Sequence, residues 1–156
     1  MTALVNSIGF SGGYTVIPES GGLSQYRLNT GYTYTSGSPL TWDTLVLTDP
    51  SITYSAGTFT AASTGTYLIK MFALVTLGSH SVQSVITSSS MTPTLAMGII
   101  GPGASFPTSN AYLCPFIVDL YLFPGNTFSF SLTILGGGTI PVLGSANNLN
   151  SIRFIG

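Results

Sequence analysis

Charged side chains are scarce along this chain. Three Lys/Arg and four Asp/Glu make up 4% of 156 residues, where a soluble domain carries about 25%. Nucleic-acid binding draws its affinity from clustered Lys and Arg, and three scattered cations cannot supply it. A polybasic membrane-surface patch is excluded for the same reason. Cysteine is nearly absent as well: Cys114 stands alone, which excludes an intrachain disulfide and the disulfide-stapled secreted scaffolds. Its place in the apolar run "YLCPFIVDL" reads as a buried structural thiol. Long apolar runs are missing. The longest, Tyr67 to Leu77, is about eleven residues with Lys70 inside it, too short to cross a bilayer as a helix, so no direct membrane insertion is expected. No charged stretch followed by an apolar core marks a signal peptide at the N-terminus. Helix signals are lacking too, since no segment combines a cap, a 3.6-residue period and good helix formers.

What is present is apolar and hydroxylated. Hydrophobic residues make up 44% of the chain and aromatics 12%, far from the charged, aromatic-poor composition of disorder. Gly, Ser and Thr fill positions that Lys and Glu usually occupy. A small, nearly neutral protein with this much apolar surface tends to associate.

Runs rich in Val, Ile, Thr, Tyr and Phe recur between Gly/Ser/Pro/Asn clusters. Strands are expected near 3–10, 13–17, 25–34, 40–47, 51–54, 57–60, 65–77, 81–88, 94–100, 111–123, 126–135 and 150–155. Breakers fall between them, among them "TSGSP", "TDPS", "FPGN" and "GGGTIP". Many short strands at regular spacing without helices point to a β-sandwich or barrel. The whole chain, 1–156, reads as one all-β domain.

Catalytic motifs do not survive inspection. "GFSGG", at 9–13, matches the G-x-S-x-G nucleophile elbow in form, but that motif needs a helix after Ser11, and "YTVIPESGG" is strand and turn. Any Ser-His-Asp triad must use His80, the one histidine, which reads as an exposed loop residue in "LGSHSVQ". A carboxylate pair would need two of Glu19, Asp43, Asp49 and Asp119 to converge, and Asp49 in "TDPS" is better explained as a turn residue. Metal sites need clusters of His, Cys or carboxylate. Gly136, Gly137 and Gly138 do not open a helix, as a phosphate-cradling loop requires. The expectation is a protein that is not an enzyme and takes no cofactor and no metal.

The stretch "GTYLIKMFALVT" poses the central question. Alternate residues give Tyr67, Ile69, Met71, Ala73 and Val75 on one side, and Leu68, Lys70, Phe72 and Leu74 on the other. A strand with one wet face alternates apolar and polar; this one is apolar on both sides apart from one lysine. A transmembrane barrel has a polar interior and cleanly alternating strands of about ten residues, so two protein contacts fit better than lipid and water.

Three stretches resemble the trimeric jelly rolls of the tumour necrosis factor and complement globular-head superfamily. In residues 36 to 69 a "G-x-F-T" strand leads through a short loop to "G-x-Y", matched by Gly57, Phe59, Thr60, Gly65 and Tyr67. "DLYLFPGNTFSFSLTI" is similar to the family's "L-x-L-x-x-G-D" hairpin through Leu120, Leu122 and Gly125, with Asn126 in place of the usual Asp. "SIRFIG" is similar to the closing strand, which ends near the trimer axis. The resemblance implies a jelly-roll β-sandwich of about 8–10 antiparallel strands that forms a homotrimer. It implies that Tyr67, Ile69, Met71 and Ala73 are core, whereas Leu68, Lys70, Phe72, Leu74, Ile117, Asp119 and Tyr121 meet neighbouring subunits. Lys70 and Asp119 are then expected within salt-bridge reach, in one subunit or across the interface.

In texture the chain is closest to viral coat or spike proteins and spore-surface heads. With no collagen-like stalk, membrane anchor or signal peptide in view, a cytokine or complement component is not supported. The expected role is that of a structural virion protein (spike head, vertex or minor capsid protein), made in the host cytoplasm and partnered by other particle proteins. The alternative is a receptor- or glycan-binding trimeric head on a spore, phage fibre or cell surface.

Overall fold

The computed structural model describes residues 22–90, 95–101, 111–145 and 149–156. The strands expected at 3–10 and 13–17, the "GFSGG" segment with Ser11, and Glu19 lie outside the described residues.

Turn chemistry cuts the apolar runs into twelve described strands: β1 (Leu23–Arg27), β2 (Tyr32–Thr35), β3 (Thr44–Leu47), β4 (Ile52–Ser55), β5 (Thr58–Ala61), β6 (Gly65–Thr76), β7 (Val82–Ser88), β8 (Leu95–Ile100), β9 (Ala111–Leu122), β10 (Thr127–Ile134), β11 (Thr139–Val142) and β12 (Asn150–Phe154). All pairings between them are antiparallel. One sheet runs β4-β5-β10-β7-β8. The other runs β2-β11-β6-β12-β1-β3, with β9 on the opposite side of β6. No helix occurs among the described residues. The architecture is an all-β sandwich.

The strand count exceeds the expected 8–10 for identifiable reasons. The run expected at 25–34 is two strands, because the carboxylate of Asp43 accepts the amides of Asn29 (2.8 Å) and Thr30 (2.7 Å) and turns the chain between them. The run expected at 40–47 begins as strand only at Thr44. "GGGTIP", expected as a breaker, is half glycine turn and half strand. Gly136, Gly137 and Gly138 take φ of +91°, +77° and +97°, a run that side chains with a Cβ resist. Thr139 then starts β11, whose Ile140 and Val142 are buried. Pro141 argued against a strand; it is accommodated because β11 pairs along its length with β2 and meets β6 only at Val142.

The core lies between the sheets and is strongly aromatic. On β10, Phe128, Phe130, Leu132 and Ile134 point inward while Thr127, Ser129, Ser131 and Thr133 point outward. Phe59 on β5 stacks on Phe128 (5.1 Å, 12°) and meets Tyr26 of the opposite sheet edge-on at 5.1 Å. Phe116 of β9 packs on Phe130 at 5.2 Å, and Trp42 reaches the same ring at 5.8 Å. Such pairs add about 0.5–1.5 kcal/mol each beyond the area they bury. Gly65 opens β6 where a Cβ would come within 2.6 Å of the Phe154 ring and 2.7 Å of the Gly156 carbonyl carbon, so the closing strand can lie against it only with glycine there.

Tyrosine hydroxyls tie the irregular segments to this core. Tyr34 donates to the Ser38 carbonyl at 2.6 Å, lies 3.0 Å from the Leu132 carbonyl, and accepts the Leu132 amide at 2.7 Å. Tyr67 bridges the carbonyls of Ser51 and Ser63, both at 2.8 Å. Tyr54 accepts the Trp42 amide at 2.8 Å. Burial pushes all three phenols above their ordinary range, which keeps them as neutral donor–acceptors.

Tyr34→Phe is expected to leave the Leu132 amide buried without an acceptor and to lower stability by about 1–3 kcal/mol, read as a fall in the urea midpoint at unchanged slope. Cys114 is fully buried and burial pushes its thiol up to about 12, so the thiolate that reagents attack is suppressed. At pH 8 the folded protein should resist a thiol reagent that labels the denatured chain at once; rapid labelling of the folded protein would contradict this placement.

Candidate functional site

The two outer faces of the sandwich have opposite chemistry, although both belong to the same charge-poor chain. Over the five-stranded sheet, Thr58 and Thr60 of β5, the Thr/Ser row of β10, and Gln83 and Thr87 of β7 point outward, with Val85 among them and Ile99 exposed on the edge strand β8. Hydroxyls and an amide hydrate this face without charges. The seven-stranded sheet turns out Leu68, Lys70, Phe72 and Leu74 from β6, and Leu113, Pro115, Ile117, Asp119 and Tyr121 from β9.

The register of the β6–β9 pair explains why these residues share a face. It runs unbroken from Gly65 opposite Leu122 to Thr76 opposite Ala111, and side chains opposite each other in an antiparallel pair point the same way. Leu68 faces Asp119, Lys70 faces Ile117, and Leu74 faces Leu113. The alternate set, Tyr67, Ile69, Met71 and Ala73 with Cys114, Phe116, Leu120 and Leu122, is buried between the sheets. All seven residues expected at a subunit contact therefore lie on one outer face. Leu68, Phe72 and Leu74 are half-buried in the chain itself, and Lys70 and Asp119 are exposed.

β9 has twelve residues and, among the described strands, pairs only with β6, at the edge of its sheet. Along it Leu113 is 49% exposed, Ile117 50% and Tyr121 60%, and Phe123 just beyond is 56% exposed and packs edge-on against Tyr121 at 5.5 Å. Long, exposed, apolar edge strands are templates for association that monomeric proteins avoid. Beside this ridge, on β6, β12 and β1, lies an open depression of about 320 Å³ lined by Leu23, Gln25, Leu68, Lys70, Ser151 and Arg153. Arg27 points to the same side from the end of β1. All three cations of the chain thus stand on this one face.

The carboxylates do different work. Asp43 accepts the two amides of the 29–30 turn and the Thr44 hydroxyl at 2.9 Å, and the Asn29 amide above all holds its carboxyl below the usual carboxylate range. Asp49 accepts the Ser51 amide at 2.8 Å, the turn role expected of it. Asp119 shares the outer face with Lys70, one diagonal step away in the register; within the chain the two do not pair. His80 was expected exposed and is instead half-buried: its amide donates to the Leu77 carbonyl at 2.9 Å, and the turn folds beside the glycine turn at Gly138. Among the described residues no group of three or more His, Cys, Asp or Glu could hold a metal ion.

Sequence reasoning missed Leu113, Arg27, Arg153 and the depression. The alternation on β9 runs back to Leu113 and could have included it. The depression joins β1, β6 and β12, strands far apart in the chain, and no local pattern announces it.

No family model matches the chain, and no curated protein matches it in sequence. Solved structures do match. Murine APRIL, in its crystal structure at pH 8.0, superposes with a TM-score of 0.62 at 10% identity, covering 86% of this chain and 98% of that one. The fold is the tumour necrosis factor and complement globular-head jelly roll. Eiger TNF from S. frugiperda is similar at TM-score 0.62 and 14% identity, covering 87% of this chain and 93% of that one. The globular domain of zebrafish complement 1qA protein is similar at 0.59 and 12%, covering 85% and 93%. In this jelly roll the three stretches that carried the sequence resemblance become the β4–β5–β6 run, the β9–β10 pair and the closing strand β12; the expected hairpin is instead a crossover, because β9 lies in the seven-stranded sheet and β10 in the five-stranded one. Asn126, which replaces the usual Asp, closes the turn between them: its side chain accepts the Phe123 amide at 2.9 Å, and its own amide donates to the Phe123 carbonyl at 3.0 Å.

The two sides of the β6–β9 pair should respond oppositely to the same charge. Ile69→Asp places a carboxylate between the sheets, where an unpaired charge is not tolerated, and should not fold. Ile117→Asp places it on the outer face and should keep the near-ultraviolet circular dichroism of the buried Trp42. Equal loss of structure in both variants would show the face assignment to be wrong.

Proposed function

We propose that this protein is a non-enzymatic structural head that assembles as a homotrimer through the outer face of its seven-stranded sheet and builds the outside of a particle, a virion in the reading that fits best. One observation carries the proposal: the outer face of the seven-stranded sheet is largely apolar, and it ends in a twelve-residue strand that among the described residues pairs on one side only, with Ile117 and Tyr121 at least half exposed. Obligate contacts resemble a domain core cut in half, and this face has that composition. The shared jelly-roll fold supports a threefold arrangement, because the resemblance in the sequence is to trimeric heads. The hydroxyl-rich opposite face suits a surface turned to solvent, since it is hydrated without the charges that this chain lacks.

Sedimentation or light scattering is expected to give about three times the 16.2 kDa chain mass across micromolar concentrations, and a monomer mass would sink the proposal. For the particle role, the protein should be abundant in purified particles and indifferent to soluble ligands. Saturable binding to cells or to a glycan array would favour the receptor- or glycan-binding head instead.

A further inference from the structure

The cations of this chain are few, and they are not scattered. Of the three, Lys70 and Arg153 line one depression of about 320 Å³ together with Gln25, Ser151, Leu23 and Leu68. Strand register sets its layout. Gln25, Ser151 and Lys70 stand opposite one another in one row across β1, β12 and β6, and Leu23, Arg153 and Leu68 form the next row. Lys70 and Arg153 are therefore diagonal neighbours on adjacent strands, ~7–8 Å apart. Like charges this close repel, and an anion between them removes that cost. Hydrogen-bond donors accompany the charges. The Gln25 amide and the Ser151 hydroxyl share the row with the ammonium, and the guanidinium presents a planar fork suited to phosphate oxygens. Arg27, the next residue of β1 to point to this side, has its Nε buried without an acceptor among the described residues. A buried donor of that kind calls for an acceptor from outside, such as an ion. The described aspartates lie elsewhere: Asp43 and Asp49 are bound into their own turns, and Asp119 stands on β9, across Leu68 from Arg153.

We propose that this depression binds a phosphate-type oxyanion, held between the Lys70 ammonium and the Arg153 guanidinium, with Gln25 and Ser151 donating to its remaining oxygens. The space exceeds one tetrahedral anion, and Leu23 and Leu68 wall the rest of it. It therefore takes phosphate either free or esterified to a small group such as a sugar. The site is built by one chain and does not require the homotrimer reading. Where a second copy covers this face, the anion offsets positive charge that burial would otherwise penalise.

The test uses the full chain, unfolded and refolded in chloride buffer to remove any retained anion. It is titrated at constant ionic strength with inorganic phosphate and, separately, with glucose monophosphate, followed by calorimetry and by phosphorus NMR line width. Saturable binding of about one phosphate per chain is expected, displaced by sulfate but not by chloride at the same ionic strength. Lys70 and Arg153 are both exposed, so their replacement leaves the core intact. Lys70→Met and Arg153→Met should each weaken phosphate binding at least ~10-fold, whereas Lys70→Arg should keep it. Glucose monophosphate binding ~10-fold tighter than phosphate would assign the esterified group, and equal or weaker binding would assign the free anion. No saturable binding of either probe would overturn the site. So would binding as tight in Lys70→Met and Arg153→Met as in the wild type, the mark of loose surface attraction. Mass in solution, measured on the same samples, tests the homotrimer separately: a monomer that binds phosphate keeps this site and removes that reading.

Discussion

The unbroken pairing of β6 with β9 governs the rest of the molecule. Its register, Gly65 with Leu122 through to Thr76 with Ala111, couples two twelve-residue strands so that neither can slip without turning its whole apolar set to the wrong side. One set, from Tyr67 to Ala73 and from Cys114 to Leu122, fills the space between the sheets. The other set lies on the outer face, where Ile117 and Tyr121 are at least half exposed. β6 also carries β12 along its first half and β11 at Val75, so the seven-stranded sheet is organised around it. The five-stranded sheet closes over that platform through the rings of Phe59 and Phe130, which meet Tyr26 and Phe116.

Poverty of charge shapes how this fold is held. Proteins often pin loops with ion pairs or charged caps; here phenol hydroxyls do so from within the core. Tyr34, Tyr54 and Tyr67 each reach a backbone group across a gap in the ladder, and their raised pKa keeps them protonated while doing it. On the outside, rows of Thr and Ser hydrate the five-stranded sheet. The few charges left are consequently informative. Asp43 and Asp49 fix turns, and the three cations gather on the one face that is otherwise apolar. A chain that uses hydroxyls for hydration can leave a greasy face beside a wet one without any abrupt change in composition, and composition alone therefore does not reveal the face.

Two different kinds of information decided these features. The class of fold, the position of most strands and the two-sided character of "GTYLIKMFALVT" were legible in the sequence, because they rest on local rules: alternation of side chains along a strand, and the backbone demands of Gly, Pro and Asn in turns. Even the assignment of Tyr67, Ile69, Leu120 and Leu122 to the core followed from alternation joined to the resemblance, and burial agrees with it. Where local rules competed, reading failed. Pro141 and three glycines masked β11, which exists because β2 offers a partner on one side. The Asp43 carboxylate, fourteen residues away from Asn29, broke one expected strand into two. The outer face depends on tertiary structure for a sharper reason. Lys70, Arg153, Gln25 and Leu23 become neighbours only because β12 is inserted between β6 and β1, and strand order is a long-range choice with no period along the chain. The sequence by itself determined that this is a charge-poor all-β protein with a strand apolar on both sides. Only the packing of the sheets decided which side was left uncovered, since it takes a second sheet to cover the first.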